Sequence, residues 1–308
     1  MLLTNEKVKS TLLGFLIGLA VIIPGFSGAQ IAIMFRLYDK LMAALGNLFK
    51  KKSILFLLPI ILGAIVGFIL GLFTVRFLLK LSLFAVVAFF AGLMVGGLPT
   101  ITKEVKGKAF KKTYIVNLII GLIIPITLSV AATNANWNLA GLLENTPWYM
   151  YLICLLIGGA VALTQLIPGL SATALLMSFG LYDALMQSVS VTYWKENPMI
   201  LLVYIALVIG AIAGVLLIAK LINKLLNNYK IGFYYVIIGL CISSIISMFY
   251  NPEITAFYKT FEANRWGHIV AGIVLFIFGA AIVLYTSLKE KPNNNVEIEE
   301  DTIQKYNN

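Results

Sequence analysis

Long apolar stretches, separated by short clusters of lysine, glycine and asparagine, organise this chain. Six of them, residues 54–79, 83–98, 114–132, 200–221, 233–249 and 269–288, approach or exceed the roughly 20 apolar residues that a bilayer-crossing helix needs. They predict plain transmembrane helices. Two further apolar stretches differ because each is cut by Pro-Gly, at Pro24-Gly25-Phe26-Ser27-Gly28 and at Pro168-Gly169-Leu170-Ser171-Ala172. Proline removes a backbone donor and glycine a stiff backbone, which costs a helix interior roughly 3 kcal/mol or more. Irregular backbone at membrane depth survives only where protein or a watery cavity satisfies it, so two matching breaks mark a site rather than a defect.

The likeness between the two motifs continues at one offset, 24 to 168, through Phe35/Phe179, Leu37/Leu181, Tyr38/Tyr182, Asp39/Asp183, Leu41/Leu185 and Met42/Met186. It resumes at a drifted offset, where the Gly-Ala-Ile-Val-Gly that starts at Gly63 resembles the Gly-Ala-Ile-Ala-Gly that starts at Gly210, and Gly92-Leu93 resembles Gly239-Leu240. The chain is therefore an internal duplication of a multi-helix unit, a broken helix pair followed by three spans. A broken pair crosses twice or enters and returns, an even number in both cases, and three more spans make the total odd. The second half is expected to be inverted. Residues 11–23 would span only about 20 Å at 1.5 Å per residue, too short to cross comfortably, but the arm before Pro168 is longer. Whether the pairs are re-entrant or fully spanning stays open at this level. The expected fold is an all-α polytopic membrane protein of two inverted repeats. Its units are residues 1–132, an external linker 133–147, a second repeat 148–288 and a cytoplasmic tail 289–308.

Composition agrees with that class: 60% of residues are hydrophobic and 12% charged, and mean hydropathy is +0.96. The net charge of +10 would suggest nucleic acid in a soluble protein, but the lysines follow the positive-inside pattern. With the N-terminus inside, Lys7, Lys9, Lys50, Lys51, Lys52, Lys103, Lys106, Lys108, Lys111, Lys112, Lys224, Lys230, Lys289 and Lys291 all fall on cytoplasmic segments. Only Lys80, Lys195, Lys259 and Arg265 fall outside, so both termini are expected in the cytoplasm of a bacterial cell-membrane protein. The N-terminal apolar run is expected to be retained, because it leads through Pro24-Gly25 into more apolar chain. The tail from Pro292, rich in Asn and Glu, has little to pack and is expected to be disordered. Cys154 and Cys241 sit in apolar segments without metal-ligand spacing and are expected to pack.

The candidate substrate site is built from Gly25, Ser27, Gly28 and Gln30 of the first motif and Gly169, Ser171 and Thr173 of the second. Helices that begin near Ser27 and Ser171 would aim their unpaired N–H groups at a shared midplane cavity, an arrangement suited to an anion. Gln30 and Thr173 either touch the ligand or bond neighbouring helices. Arg36, nine positions beyond Ser27, is expected on the opposite helix face, snorkelling to the inner headgroups, whereas Tyr38 at eleven positions returns to the serine's face at interfacial depth. Tyr182 matches Tyr38 in the second half. With Asp39, Asp183 and Arg76, these residues are candidates for an entrance or gate. His268, the single histidine, has no partner constellation. No catalytic triad, metal cluster, nucleotide motif or carboxylate relay is visible, so no enzyme activity, cofactor or metal is expected.

The paired Pro-Gly-x-Ser motifs, each followed by Leu-Tyr-Asp, resemble the bacterial and archaeal polyprenyl-phosphate translocases of the PopT type, formerly a family of unknown function. The resemblance covers nearly the whole membrane portion. Ser27-Gly28-Ala29-Gln30 stands where that family usually has Ser-Gly-Gly-Thr, and Arg36 where it usually has glycine. The resemblance implies return of undecaprenyl phosphate from the outer to the inner leaflet for reuse in cell-wall synthesis. Its partner would be a membrane lipid and not nucleic acid, with no coupling ion specified. A small-solute transporter or anion channel of the same inverted design is the alternative.

Overall fold

The computed structural model describes residues 6–21, 27–134, 139, 141–144, 146–250, 252–259 and 265–289, and among them it is all helix, turn and bend. Each half begins with three helices around its motif. In the first these are α1 (Glu6–Ala20), α2 (Gly28–Met34) and α3 (Tyr38–Gly46), followed by the long α4 (Lys51–Lys103) and α5 (Thr113–Asn134). After the short α6 (Gly141–Glu144), the second half repeats the order with α7 (Trp148–Leu166), α8 (Ala172–Ser178) and α9 (Tyr182–Ser188), and adds the short α10 (Val191–Glu196). The long α11 (Ile200–Met248), the short α12 (Pro252–Lys259) and α13 (Arg265–Lys289) complete it.

Among the described residues, six helices are long and apolar enough to cross a membrane: Lys51–Gly71, Leu81–Lys103, Thr113–Asn134, Trp148–Leu166, Ile200–Met248 and Trp266–Tyr285. The chain is a multi-pass membrane protein. Ile54, Leu55, Ile61, Leu62, Ile65 and Val66 of α4 are all exposed, an unbroken apolar face that suits lipid and not water. Two pairs of expected spans turn out to be joined. A straight 53-residue α4 would run about 80 Å, against roughly 30 Å of hydrocarbon, so it needs the break found at Ser82 (φ −162°, ψ 95°). There the Ser82 hydroxyl accepts the Ala85 N–H (3.2 Å) as an N-cap to the second arm. His268 Nδ1 of α13 lies 2.8 Å from the same oxygen, so the histidine expected to stand apart has a partner. In α11 the equivalent break is at Tyr229 (φ −137°, ψ 34°).

Glycines set which helices touch and in which direction. A Cβ on Gly63 would meet the Thr11 carbonyl oxygen at 2.1 Å, and one on Gly67 the Phe15 oxygen at 2.0 Å, so α1 and the first arm of α4 run parallel in close backbone contact. In the second half, α7 and the first arm of α11 do the same, with Gly210 against Leu155 and Gly214 against Gly159. The last helix of each half crosses over. α13 lies parallel to the second arm of α4 (Gly92 to Phe276, Gly96 to Ala280), and α5 lies parallel to the second arm of α11 (Gly121 to Val236, Gly239 to Leu118).

The helix expected to continue past Ser27 stops at Met34. Arg36 N–H donates to the Ile33 oxygen (2.9 Å) and Leu37 N–H to Ala32 (2.8 Å), while Gly180 and Leu181 make the same bonds to Met177 and Leu176 after α8. These are matching Schellman ends, and they require a left-handed residue: Gly180 at φ 67° and, in the first half, Arg36 at φ 54°. This explains why glycine suits the position, and it corrects the facing derived for Arg36 and Tyr38 from an unbroken helix. Arg36→Gly is expected to be more stable than Arg36→Ala by about 1 kcal/mol. Both variants lose the side chain and only alanine keeps the strain, so thermal unfolding in detergent checks the difference.

Candidate functional site

Helix breaks free backbone carbonyls, and side chains from the opposite half satisfy them. Pro125 in α5 cannot donate to the Gly121 carbonyl, and Ser243 Oγ of α11 donates to it instead (3.2 Å). At the end of α7, the turn at Pro168-Gly169 leaves the Leu166 carbonyl unused by the helix, and Tyr38 Oη donates to it (3.0 Å). Tyr38 is only 2% exposed, so it is a buried bridge between halves and not a tyrosine anchored at the interface.

Both motifs lie against one stretch of α11, from Leu240 to Ser247. On the first, Ser27 N–H donates to Gln30 Oε1 (2.8 Å), half of a capping box. Gln30 Nε2 donates to Ser244 Oγ (3.2 Å), and the Ser27 hydroxyl, fully buried, has no hydrogen-bond partner among the described residues. Gln30 thus uses both ends of its amide inside the protein, the neighbour-bonding alternative of the two open to it. Gly28 starts α2 with its Cα turned toward Ile17 of α1, which a Cβ would meet at 2.8 Å. On the second motif, Ser171 Oγ accepts the Ala174 N–H (3.2 Å) as N-cap and lies 2.8 Å from Thr173 Oγ1. Gly169, at φ 90°, packs so tightly on α11 that a Cβ would sit 2.6 Å from the Leu240 oxygen and 3.0 Å from Ser244 Cβ.

A small cavity lies beside the second motif, lined by Gly169, Ser171 and Ala174 together with Pro125, Leu128, Ser129 and Ser247. Its volume for a water-sized sphere is about 10 Å³, the size of one water and far short of a phosphate. Ser129 Oγ reaches the Ser247 carbonyl at 3.5 Å, and the buried Ser247 hydroxyl has no hydrogen-bond partner among the described residues. None of the described residues of the first motif lines this space. α2 and α8 are seven residues each, so their stacks of peptide dipoles are short and the polarity here comes from hydroxyls and single amides. Ser129, Ser243, Ser244 and Ser247 were not among the sequence candidates. The signal was present in Cys241-Ile-Ser-Ser-Ile-Ile-Ser, three hydroxyls within an otherwise apolar span.

The remaining candidates divide. Asp39 Oδ1 accepts the Tyr234 hydroxyl (2.7 Å) and Asp39 Oδ2 lies 3.4 Å from Lys230 Nζ, at the lysine-rich end of the molecule. Arg36 is exposed and Tyr182 half-buried. Gly25 and the side chains of Arg76 and Asp183 lie outside the described residues. Among the described residues, no group of three or more His, Cys, Asp or Glu side chains could hold a metal ion.

Residues 17–264, which contain both motifs and the α11 stretch between them, match the undecaprenyl phosphate translocase-like family. The chain belongs to that family. A curated relative, the polyprenyl-phosphate transporter of Staphylococcus aureus (strain NCTC 8325 / PS 47), is 28% identical over 249 residues, covering 79% of this chain and 86% of the relative. No solved structure gives a significant match. The family match ends just before α13, so the family region runs from the last turn of α1 through α12 and includes both Pro-Gly-x-Ser elements.

Proposed function

We propose that this protein is a transporter and not an enzyme, and that it carries a polyprenyl phosphate, of the undecaprenyl phosphate class, from the outer to the inner leaflet of the bacterial cytoplasmic membrane. The observation that carries the reading is membership of the translocase-like family over four-fifths of the chain, joined to a hydroxyl-lined cavity at a helix break. Ser27, Ser171 and Thr173, with Ser129 and Ser247, offer hydroxyl donors for a phosphate head, and the apolar tail needs only lipid. Gly25 and Gly169 allow the backbone to approach that head, while Gly28 makes room for Ile17 of α1 and Gln30 holds the first motif in place. Asp39, Asp183, Arg36, Tyr182 and Arg76 belong to the entrances, and Tyr38, buried between the halves, to a gate.

Transport proceeds by alternating exposure of the site between inverted halves. The parallel pairing of α1 with α4 supports this, because the chain must return to its starting side between them, and so does the same pairing of α7 with α11. The lysine distribution favours both termini in the cytoplasm. A cavity of one water's size corresponds to a closed state, so the head is admitted when α8 moves relative to α5 and α11.

The test is reconstitution in liposomes with undecaprenyl phosphate movement followed between leaflets. A hydrogen bond to a charged group contributes roughly 1.5–3 kcal/mol. Ser171→Ala is therefore expected to weaken the apparent affinity by about tenfold or more, and Ser27→Ala with Ser171→Ala by more than either alone. Unchanged transport by a well-folded double variant removes the hydroxyls from the mechanism. Flux of inorganic phosphate without lipid movement makes the protein a channel.

A further inference from the structure

At the lysine-rich end, the first turn of α3 is held by the second half of the molecule through successive residues. Tyr38 donates to the Leu166 carbonyl at the second helix break. Asp39 is held twice from α11, by the Tyr234 hydroxyl at 2.7 Å and by Lys230 at 3.4 Å. Lys230 also reaches Glu104 at the end of α4, at 3.5 Å, and its ammonium stands 5.9 Å from the centre of the Tyr234 ring. It directly follows Tyr229, the residue at which α11 breaks. One lysine therefore joins α3, the end of α4 and the hinge of α11.

The duplication shows that Lys230 and Tyr234 are not repeated in the sequence. The offset that aligns Gly63 with Gly210 also aligns the break at Ser82 with that at Tyr229, and it puts Leu83 and Val87 opposite Lys230 and Tyr234. At those positions the α4 arm offers the second Leu-Tyr-Asp neither an ammonium nor a phenol. The two contacts that α11 makes to Asp39 thus have no counterpart of the same chemistry at the equivalent positions of α4.

We propose that Asp39, Lys230, Tyr234 and Glu104 form a latch that keeps the lysine-rich side closed and that must open for the lipid head to leave there. The role in transport rests on the alternating-access reading above, but the latch itself is tested without substrate. Opening separates α3 from α11 and withdraws Tyr38 from Leu166, so the state of the exit is transmitted to the second motif through one helical turn. A bistable contact of this kind biases the populations of two states without touching the substrate.

Ile101 is buried one turn before Glu104, and the native Cys154 and Cys241 are buried as well, so a cysteine at 101 reports opening to a soluble maleimide. In purified protein carrying Ile101→Cys, Lys230→Met is expected to raise the alkylation rate about fivefold, the scale of one partly exposed ion-pair network. Lys230→Arg keeps the slow rate, and Tyr234→Phe, which removes one hydroxyl, gives a smaller rise. Equal rates with lysine and methionine at 230, in variants that unfold at the same temperature, overturn the latch. Should Ile101→Cys fail to fold, hydrogen exchange of the α3 amides from Leu41 to Ala44 reads the same opening, and unchanged protection in Lys230→Met is the refuting result. A labelling response in a protein that moves no polyprenyl phosphate keeps the latch and rejects the transport reading.

Discussion

Gly169→Val is expected to abolish lipid transport while leaving most of the protein folded. The residue adopts φ 90°, where a β-branched side chain is strained by about 1–3 kcal/mol. A Cβ would also stand 2.6 Å from the Leu240 carbonyl oxygen, a backbone atom inside the second arm of α11 that has no rotamer to yield. Overpacking adds about 1–3 kcal/mol. The turn can relieve both only by moving Ser171, Thr173 and the start of α8 away from α11, the contact that shapes the cavity. Activity is expected to fall at least about 100-fold, since the combined cost of a few kcal/mol acts on the site geometry itself. Leaflet-exchange rates in liposomes, beside thermal unfolding of the same preparation, check the result. Wild-type transport by the valine variant makes the second break a structural kink, and the site must then be sought elsewhere.

Gly210→Leu is expected to act on assembly instead. A Cβ there would lie 1.9 Å from the Leu155 carbonyl oxygen, and one on the neighbouring Gly158 or Gly214 would meet the Leu207 oxygen at 2.1 Å or the Gly159 Cα at 2.7 Å. In lipid, helices associate through such small-residue contacts because no hydrophobic drive separates helix from tail. Leucine would force α7 and α11 apart along their whole shared face and lose the packing of both. The expected destabilisation is about 3 kcal/mol or more, the upper range for overpacking against backbone. A large fall in unfolding temperature, or loss of the folded peak on size exclusion in detergent, reads it. The matching change Gly63→Leu tests the same contact between α1 and α4. Unaltered unfolding in both variants would mean that these crossings tolerate separation.

Much of this was legible in one dimension because a duplication is a comparison the chain makes with itself. The repeated Pro-Gly-x-Ser and Leu-Tyr-Asp placed two helix breaks, and both occur where expected, with Ser171 as an N-cap and Gly169 at positive φ. The likeness of Gly63 and Gly67 to Gly210 and Gly214 was visible as a repeat marker, but not as the contact surface it proves to be. Spacing identifies a stripe on a helix and cannot say which other helix fills it. The end of α2 at Met34 escaped for a related reason: the left-handed residue that closes its Schellman motif is glycine in the second half and arginine in the first, so the first half lacked the local signal.

What the sequence determined by itself was the membrane class, the duplicated unit and the positions of its breaks, since hydropathy, proline chemistry and repetition all act between near neighbours along the chain. The tertiary structure alone decided the polar pairings. Tyr38 meets Leu166, Gln30 meets Ser244, and Asp39 meets Lys230 and Tyr234, each across more than a hundred residues of chain. In an apolar surrounding a freed carbonyl or a buried amide must find a partner. Which partner it finds depends on how parallel helices from two halves come to rest against one another, and that arrangement has no local signature.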